Sequence, residues 1–517
     1  IEDLIALNAL YRPGPIQGGM IDDFIARKHG RKQVTYELPE LREILEETYG
    51  VIVYQEQVMQ ISQVIGGYTL GGADLLRRAM GKKKPEEMAK HRDIFREGAK
   101  QKGYDERLAM QLFDLMEKFA EYGFNKSHTA AYAVISYQTA WLKAHHTAAF
   151  MAATLSSDMD DTDAVHVFYK DALANGIEIL GPDINLSEYR FVPVDRQRIR
   201  YGLGAIKGTG ESAIANIIAA REAGGPFTDL FDFCRRVDRR VVNRRVIEAL
   251  VRAGAFDRLN EDRASLLNSV GLALEWAENQ ARNAVQDSLF GDAAAEAPPA
   301  LAAVPAWSLR ERLVQEKLAL GFFRSGHPFD ADRAELAPIL SRPLAQLTAQ
   351  NQPETLAGTV MAVRTQMTRR GKMAFVLLDD GTAQVEVAVY SELYERHRER
   401  VREDQTLVIV GKVSLDSYTG GLRVTADEIY DMEQARTRHA RCLKLHLDGN
   451  ADAGRLMRLL SPYRSDEAGC PVALHYQNAV AACEITLGQQ WRVRLADPLL
   501  KELRDMLNPE GVQVVYS

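Results

Sequence analysis

The sequence predicts a multidomain protein: a mostly α-helical first half, then a small β-barrel and a small α/β domain. Three observations predict this class. The chain has 517 residues, more than one hydrophobic core usually serves, so we expect three to five domains. Apolar residues recur at helical spacing through most of residues 1–280, but alternate at a spacing of two between about 354 and 432. After about 434, strand-like and helix-like segments mix.

Composition narrows the possible classes of function. Hydrophobic residues make up 46% of the chain and charged residues 26%, as in ordinary globular proteins. We find no apolar run long enough to span a bilayer and no secretory leader, so we expect no membrane partner. Cys234, Cys442, Cys470 and Cys483 form no CxxC pair, which argues against a zinc site or disulfide framework and for the reducing cytoplasm. Because Ile1 already lies in an amphipathic pattern, we expect a fragment of a longer protein.

The net charge of −7 does not by itself indicate a nucleic-acid binder, so any such surface must come from local clustering. The segment 71–103 is such a cluster, with Arg77, Arg78, Lys82 and Lys83 among its many basic residues. It is either a solvated helix face or a phosphate-facing surface, and the sequence leaves both readings open.

A second candidate site lies in 122–146, YGFNKSHTAAYAVISYQTAWLKAHH. Ser127 is predicted to be the N-cap of a helix that begins at the next residue. The first backbone N–H groups of that helix, with Lys126 and His128, would converge on an anion, and Tyr122 would stack on a sugar or base. A triphosphate is the natural ligand for this mixture. A capped core helix with an incidental basic start is the alternative, and a P-loop is excluded because two glycine positions are not glycine.

Groups for acid–base or metal chemistry are scarce. Asp158, Asp160 and Asp161 cluster in SSDMDD, but no strand precedes them to fix their geometry, so a solvated turn is favoured. No HExxH, GxSxG or Cys–His arrangement occurs. The sequence therefore predicts features that hold a substrate, no catalytic residue and no metal site.

Residues from about 166 to 280 suggest two helix-hairpin-helix units. YGLGAIKGTGESAIANIIAAR places three glycines before an apolar-periodic helix, and VVNRRVIEALVRAGAFDRL is a weaker second copy. A tight glycine turn exposes N–H groups that can hold a phosphate oxygen without reading sequence. The alternative is a glycine-capped helix pair with a charged surface. The candidate DNA contacts, including those of the basic cluster, are Lys82, Lys83, Gly204, Lys207, Gly208, Gly210, Arg244 and Arg245.

Residues 281–306 are rich in Ala and Pro and predict a linker. Within it, QDSLF offers Gln286, Leu289 and Phe290 as a short peptide that would fill an apolar pocket on a partner. Such a pentapeptide also occurs by chance.

Five short strands between about 354 and 432, with the helical segment SELYERHRERV between the third and fourth, predict an OB-fold. Arg364, Lys372 and Phe375 are tentative contacts for single-stranded DNA, although many such barrels bind protein or nothing. The last 80 or so residues predict a small α/β docking module.

Six motifs in this order, YRPGP, VYQEQVMQI, LRRAMGKK, YGFNKSHTAAYA…SYQTAWLKAH, GPDIN and GLGAIKG, resemble the C-terminal half of the family C DNA polymerases, the bacterial DNA polymerase III alpha subunits. The resemblance covers essentially the whole chain and is weaker beyond about 435. It implies the following domain order: fingers 1–165, tandem helix-hairpin-helix domain 166–280, linker with a clamp-binding motif 281–306, helical connector 307–350, OB-fold 351–433 and a C-terminal domain 434–517.

The resemblance also implies roles for residues. Arg77 and Arg78 would approach the triphosphate of the incoming deoxynucleotide, and Tyr122 and His128 would lie beside its sugar and phosphates. The QDSLF side chains would anchor the sliding clamp (beta), and the last domain would dock the clamp-loader tau subunit.

The remaining parts of the enzyme are expected outside this chain. In the family, the palm with its three aspartates and two Mg²⁺ ions, and the PHP domain, precede these motifs, so the fragment alone should not polymerise. The N-terminal region would also bind the proofreading exonuclease subunit, and primer–template DNA would be the substrate partner. The error-prone second family C polymerase is the nearest rival. A non-catalytic DNA-binding scaffold is another, and an NTPase built on NKSH lacks the Walker context and a carboxylate.

Overall fold

The computed structural model of the chain divides into two compact units. It describes residues 1–17, 19–82, 85–120, 123–290, 297–369, 371–416, 420–448, 452–465, 469–478 and 480–516. The first unit comprises 1–154, 170–179 and 193–199, and the second comprises 155–169, 180–192 and 200–517.

The first unit is helical, as predicted. The helices from the N-terminus to its boundary region are α1 Glu2–Leu10, α2 Pro13–Gln17, α3 Met20–Lys28, α4 Arg42–Leu45, α5 Gln55–Val64, α6 Leu70–Lys82, α7 Pro85–Gln101, α8 Glu106–Ala120, α9 Lys126–His145, α10 Thr147–Ser157 and α11 Thr162–Ala174. Apolar residues at helical spacing on α5 to α8 bury fully, among them Ile61, Leu76, Phe95 and Phe113. This core fixes α5 and α6, which carry the candidate site.

Helix α9 begins one residue before Ser127, so the prediction that Ser127 is its N-cap is wrong. Asn125 has an extended backbone and is the N-cap, and its side-chain oxygen accepts the N–H of His128 at 2.9 Å. An Asn and a Ser two residues apart both suit this position. The tertiary contacts of the preceding loop, described below, place the Asn at the helix start.

Three short strands, β1 Glu178–Leu180, β2 Val192–Pro193 and β3 Arg198–Arg200, form a sheet of order β1-β3-β2. The helices that follow belong to the second unit: α12 Glu211–Gly224, α13 Leu230–Arg236, α14 Arg244–Ala253, α15 Arg263–Phe290, α16 Leu309–Leu320 and α17 Asp330–Leu336. Phe233 packs edge-on against both Phe227 and Phe256, with ring centroids 4.9 and 5.1 Å away. All three rings are buried and belong to the core of this helical region.

Helix α15 extends ten residues into the predicted linker, which is where the structure differs from the sequence pattern. Residues 281–290 contain neither Gly nor Pro and include several good helix formers, so nothing ends the helix before Gly291. The side chains of Gln286, Leu289 and Phe290 lie outside the described residues, so their clamp-binding role stays a prediction.

The predicted five-stranded barrel is confirmed. Its strands are β4 Gln350–Thr368, β5 Gly371–Asp379, β6 Gln384–Val389, β7 Thr406–Leu415 and β8 Leu422–Tyr430, closed in the order β4-β5-β6-β8-β7. Helix α18, Ser391–His397, lies between β6 and β7 as predicted. Alternate residues such as Val376, Val387 and Ile409 fill the interior.

The predicted α/β domain is also confirmed. It contains α19 Met432–His439, β9 Ala440–Leu447, α20 Ala453–Leu460, β10 Val472–Gln477, β11 Ala482–Thr486, α21 Asp497–Leu507 and β12 Val512–Tyr516. The sheet order is β11-β10-β9-β12, with β9 and β10 parallel. No helix in the described parts of the chain combines the length and apolar character that crossing a bilayer requires.

Candidate functional site

The first residue of α5, Gln55, joins two segments that the sequence treats as separate candidates. Its backbone N–H donates to the carbonyl of Phe124 at 2.9 Å, and its side-chain amide donates to the carbonyl of Gly123 at 2.9 Å. Its side-chain oxygen accepts a hydrogen bond from the Arg77 guanidinium at 3.0 Å. Arg77 of α6 is therefore held beside the loop that leads into α9.

The next residue, Glu56, caps the start of α9. Its two carboxylate oxygens accept the N–H of Lys126 at 3.1 and 3.0 Å. The Lys126 ammonium pairs with Glu47 at 2.7 Å. Since the N–H of His128 is bound by Asn125, two of the first N–H groups of α9 bind protein oxygens. This differs from the prediction that they converge on an external anion.

Arg77 and Arg78 share one carboxylate on the same helix. Asp74 accepts two hydrogen bonds from Arg77, at 3.0 and 2.8 Å, and pairs with Arg78 Nε at 2.8 Å. Hydrogen bonding from Arg77, and then the nearby charge of both arginines, lowers the pKa of Asp74. The Arg77 side chain is 30% exposed and that of Arg78 is 62% exposed, so both can reach a ligand in solution.

An aromatic cluster lies beside this charge network. The exposed His128 ring stacks on Tyr132 with centroids 4.8 Å apart and meets Phe124 edge-on at 5.1 Å. The Arg12 guanidinium lies 3.6 Å from the centroid of the Phe124 ring, which is cation–π geometry. Arg12, Phe124, His128 and the network at α5 thus meet at the start of α9. Tyr122, predicted to join them, lies outside the described residues.

The sequence pattern did not indicate Gln55, Glu56, Glu47 or Asp74. Two signals were present. Gln55 and Glu56 are polar residues inside the apolar-periodic VYQEQVMQI. Asp74 precedes the two arginines by three and four residues, the spacing of helical ion pairs.

The predicted DNA contacts Lys82 and Lys83 cannot be placed. Lys82 ends α6, but its side chain is not described, and Lys83 lies outside the described residues. Their role stays a prediction.

The first glycine turn opens to solvent before α12. Gly208 has a φ of +85°, which favours glycine, and no atom lies within 4 Å of a Cβ built on Gly208 or Gly210. The Thr209 hydroxyl ties the turn down by hydrogen bonds at 2.7 and 2.6 Å to the carbonyls of Leu203 and Ile206. The turn is thus pinned from beneath and accessible from outside, as a backbone phosphate contact requires.

Gly204 and Lys207 have different surroundings. A Cβ on Gly204 would lie 2.4 Å from the Tyr189 ring, so this glycine allows close packing rather than access to a phosphate. The Lys207 N–H donates to the carbonyl of Ala319 at 2.8 Å, whereas its side chain is exposed. Only the Lys207 side chain, not its N–H, is available to a ligand.

The second turn precedes α14. The side chain of Asn243 accepts the N–H groups of Arg245 and Val246 and caps the helix. Arg244 and Arg245 are exposed, and Arg244 pairs with Glu248 at 2.7 Å. The structure therefore places both predicted arginines at an exposed helix start.

On the barrel, Arg364 and Phe375 are directly opposite each other on β4 and β5. The Arg423 guanidinium lies 5.5 Å from the Phe375 ring, and Glu386 binds both Arg364, at 2.5 Å, and Arg423, at 2.7 Å. Lys372 lies three residues before Phe375, so strand alternation directs it to the other side. The structure places Arg364 and Phe375 on the same face of the barrel, and Lys372 on the other side. Glu386 reduces the positive charge of the face that carries Arg364 and Phe375.

Within the part of the chain that the structure describes, no group of three or more His, Cys, Asp or Glu side chains is placed to hold a metal ion. The resemblance assigns the two Mg²⁺ ions to palm aspartates and to no residue of this chain. No chemical step is assigned to a metal in this chain.

Four family models match consecutive parts of the chain. They are the finger domain of the bacterial DNA polymerase III alpha subunit at 1–103, a helix-hairpin-helix motif at 176–266, an OB-fold nucleic acid binding domain at 354–432 and the C-terminal domain of the DNA polymerase III alpha subunit at 455–507. Together with the helical, barrel and α/β architecture, these matches define the class: a part of a DNA polymerase that carries DNA-binding domains.

Whole-chain similarity narrows the class. DNA polymerase III subunit alpha of Neisseria meningitidis serogroup B is 50% identical over 99% of this chain, and those of Vibrio cholerae and Escherichia coli K12 are 48% and 45% identical over 100% of it. These matches confirm the resemblance to the C-terminal part of the bacterial DNA polymerase III alpha subunits. The chain spans 45–46% of the length of these relatives. RecG bound to a three-way DNA junction aligns at 16% identity, covering 40% of this chain and 29% of that one, but its TM-score of 0.16 carries no weight.

Proposed function

We propose that this chain supplies the fingers, DNA-binding and docking parts of a replicative DNA polymerase, and that the full-length protein is a DNA-directed DNA polymerase, a nucleotidyltransferase. One observation carries the proposal for the site. Gln55 holds Arg77 against the loop before α9, so Arg77, Arg78, Lys126 and His128 belong to one cluster. Such a concentration of cationic and aromatic groups suits a deoxynucleoside triphosphate.

In the proposed reaction the primer 3′ hydroxyl attacks the α-phosphorus of the deoxynucleotide, and pyrophosphate leaves. Arg77, Arg78 and Lys126 bind the β and γ phosphates and stabilise the charge that builds on the leaving group. His128 and Tyr122 lie beside the sugar and phosphates. The two Mg²⁺ ions that would supply metal-ion catalysis belong to palm aspartates outside this chain.

The helix-hairpin-helix turns hold primer–template DNA by its backbone, which suits an enzyme that copies any sequence. The proposed contacts are the open turn at Gly208 and Gly210, the Lys207 side chain, and Arg244 and Arg245. Gly204 supports this turn through packing. On the barrel, Arg364 and Phe375 form the surface for a single strand.

The remaining proposed partners follow from the family. Gln286, Leu289 and Phe290 anchor the sliding clamp, and the tether keeps the enzyme at high effective concentration on DNA. Residues 434–517 dock the clamp-loader tau subunit. The N-terminal region of the full-length protein binds the proofreading exonuclease, and the complex works in the cytoplasm.

The test of the site uses Arg78→Ala in the full-length polymerase. Loss of one charge-assisted phosphate contact should raise the KM for deoxynucleotide or lower kcat about tenfold, while primer–template binding stays nearly unchanged. Arg96→Ala is the matched control, because Arg96 is also a helix arginine paired with an aspartate, Asp93 at 2.8 Å, but has no proposed nucleotide contact. Equal loss of DNA binding in Arg78→Ala would contradict the assignment.

Two rival functions have separate tests. Clamp capture lost in a Gln286→Ala, Leu289→Ala and Phe290→Ala variant favours the replicative enzyme over the error-prone second family C polymerase. DNA synthesis recovered when the chain is supplied with the palm-containing remainder of the protein excludes a non-catalytic scaffold.

A further inference from the structure

The positive groups of the proposed triphosphate site already have partners within the protein. Lys126 pairs with Glu47, Arg77 and Arg78 share Asp74, and the first N–H of α9 binds Glu56. Two carboxylates thus pair with three side-chain cations, and a third carboxylate, Glu56, binds a helix N–H. All three carboxylates lie on α5, α6 or the turn before α5. The carboxylates occupy the positions around these cations that phosphate oxygens need.

A triphosphate cannot use these groups fully while the carboxylates stay in place. Its negative charge would lie close to the three carboxylates, and like charges repel each other strongly when they are partly desolvated. We propose that Glu47, Glu56 and Asp74 are internal counter-ions that occupy the triphosphate site until the nucleotide displaces them, and that this competition selects ligands by their phosphate charge. This inference rests on the proposed function.

The geometry permits such an exchange. The Asp74 and Glu47 pairs are partly exposed, with side-chain exposures between 30% and 62%. Exposed ion pairs are weak, so a multivalent anion can replace them. Glu56 pairs with no side-chain cation, but its movement would free the first N–H of α9. That N–H attracts an anion through the helix dipole.

Selection by charge follows from the number of carboxylates that must move. A monophosphate can replace one carboxylate and still meets the repulsion of the other two. A triphosphate can replace all three with its own oxygens. The counter-ions therefore weaken the binding of mono- and diphosphates more than the binding of triphosphates. As a result, mono- and diphosphates occupy the site less.

The test measures binding of dATP, dADP and dAMP to the 517-residue chain by isothermal titration calorimetry. Asp74→Asn and Glu47→Gln each remove one competing charge and keep the side-chain shape. Each should tighten dATP binding about twofold to fivefold, the range for loss of one exposed ion pair. Each should tighten dAMP and dADP binding more, so that the ratio of the dAMP Kd to the dATP Kd falls at least twofold.

Glu46→Gln is the matched control, since Glu46 neighbours Glu47 but pairs only weakly with the exposed Arg42, at 3.5 Å. It should leave every Kd unchanged. Circular dichroism checks that each variant is folded, and two independent variants keep the test decisive if one is not.

The outcomes separate the two proposals. If the unaltered chain binds none of the nucleotides, the proposed site itself fails and this inference fails with it. If the unaltered chain prefers dATP but Asp74→Asn and Glu47→Gln match it in affinity and in the dAMP-to-dATP ratio, the counter-ion inference alone is refuted.

Discussion

Gly98 of α7 packs against Gly66, two residues past the end of α5, and replacing Gly98 tests the packing that supports the site. A Cβ on Gly98 would lie 1.9 Å from the carbonyl oxygen of Gly66, whereas ordinary contact begins at 3.4 Å, so α7 must move by 3.4 − 1.9 = 1.5 Å. The obstacle is backbone and cannot rotate away. The shift would disturb Phe95 and Ala99, both fully buried on the same helix.

The expected cost of Gly98→Ala follows from two opposing effects. Overpacking of this kind costs about 1–3 kcal/mol, and contact with backbone puts Gly98 near the upper end. Ala gains about 1 kcal/mol over Gly in a helix. The net loss should be about 2 kcal/mol in the free energy of unfolding of the first unit.

Urea denaturation followed by circular dichroism measures this loss. Gly71→Ala is the control, because Gly71 lies in α6 with no atom within 4 Å of its Cβ position and should gain about 0.5 kcal/mol. If Gly98→Ala were as stable as Gly71→Ala, the close approach of α7 to the Gly66 backbone would be refuted.

The remaining predictions concern the second unit. Burial would raise the pKa of Asp379, but the His327 ring nitrogen 3.3 Å away and the hydrogen bonds from Gln384 and the Gly381 N–H outweigh it and lower the pKa to about 2. Asp379→Asn should therefore cost about 2 kcal/mol at pH 7, and this difference should shrink as pH falls from about 5 towards 2, which unfolding curves at both ends would show. Glu316 is fully buried and binds Arg263, which is 2% exposed, at 3.0 Å. Glu316→Ala should cost about 3 kcal/mol, because it removes one of the two carboxylates that bind buried Arg263 and leaves the Ser325 N–H without its acceptor. A thermal midpoint unchanged from the parent chain would contradict that.

The sequence predicted the parts of the fold that periodicity controls. Apolar residues recur at helical spacing from α5 to α8 and alternate from β4 to β8. This periodicity within each helix or strand indicates which of its faces packs against a core. The end of α15 was missed because composition rich in Ala and Pro further along suggested a linker, although residues 281–290 alone favour a helix.

The site was predicted only in part, and the reason is distance along the chain. Arg77, Lys126 and His128 are recognisable from charge and motif. Their arrangement depends on Gln55 and Glu56, which bind Gly123 and Lys126 from 68 and 70 residues away. No local sequence pattern indicates a contact between residues so far apart in the chain. The same applies to Gly204, whose packing against Tyr189 becomes visible only in three dimensions.

Photochemical labelling tests the proposed site most directly. A deoxynucleotide with a photoreactive azidoanilide on its γ-phosphate would be irradiated on the full-length polymerase with primer–template DNA, and labelled peptides would be identified by mass spectrometry. We predict label within 74–78 and 123–128, lost when unmodified deoxynucleotide competes. Competable label found only outside both segments would contradict the claim that these residues hold the triphosphate.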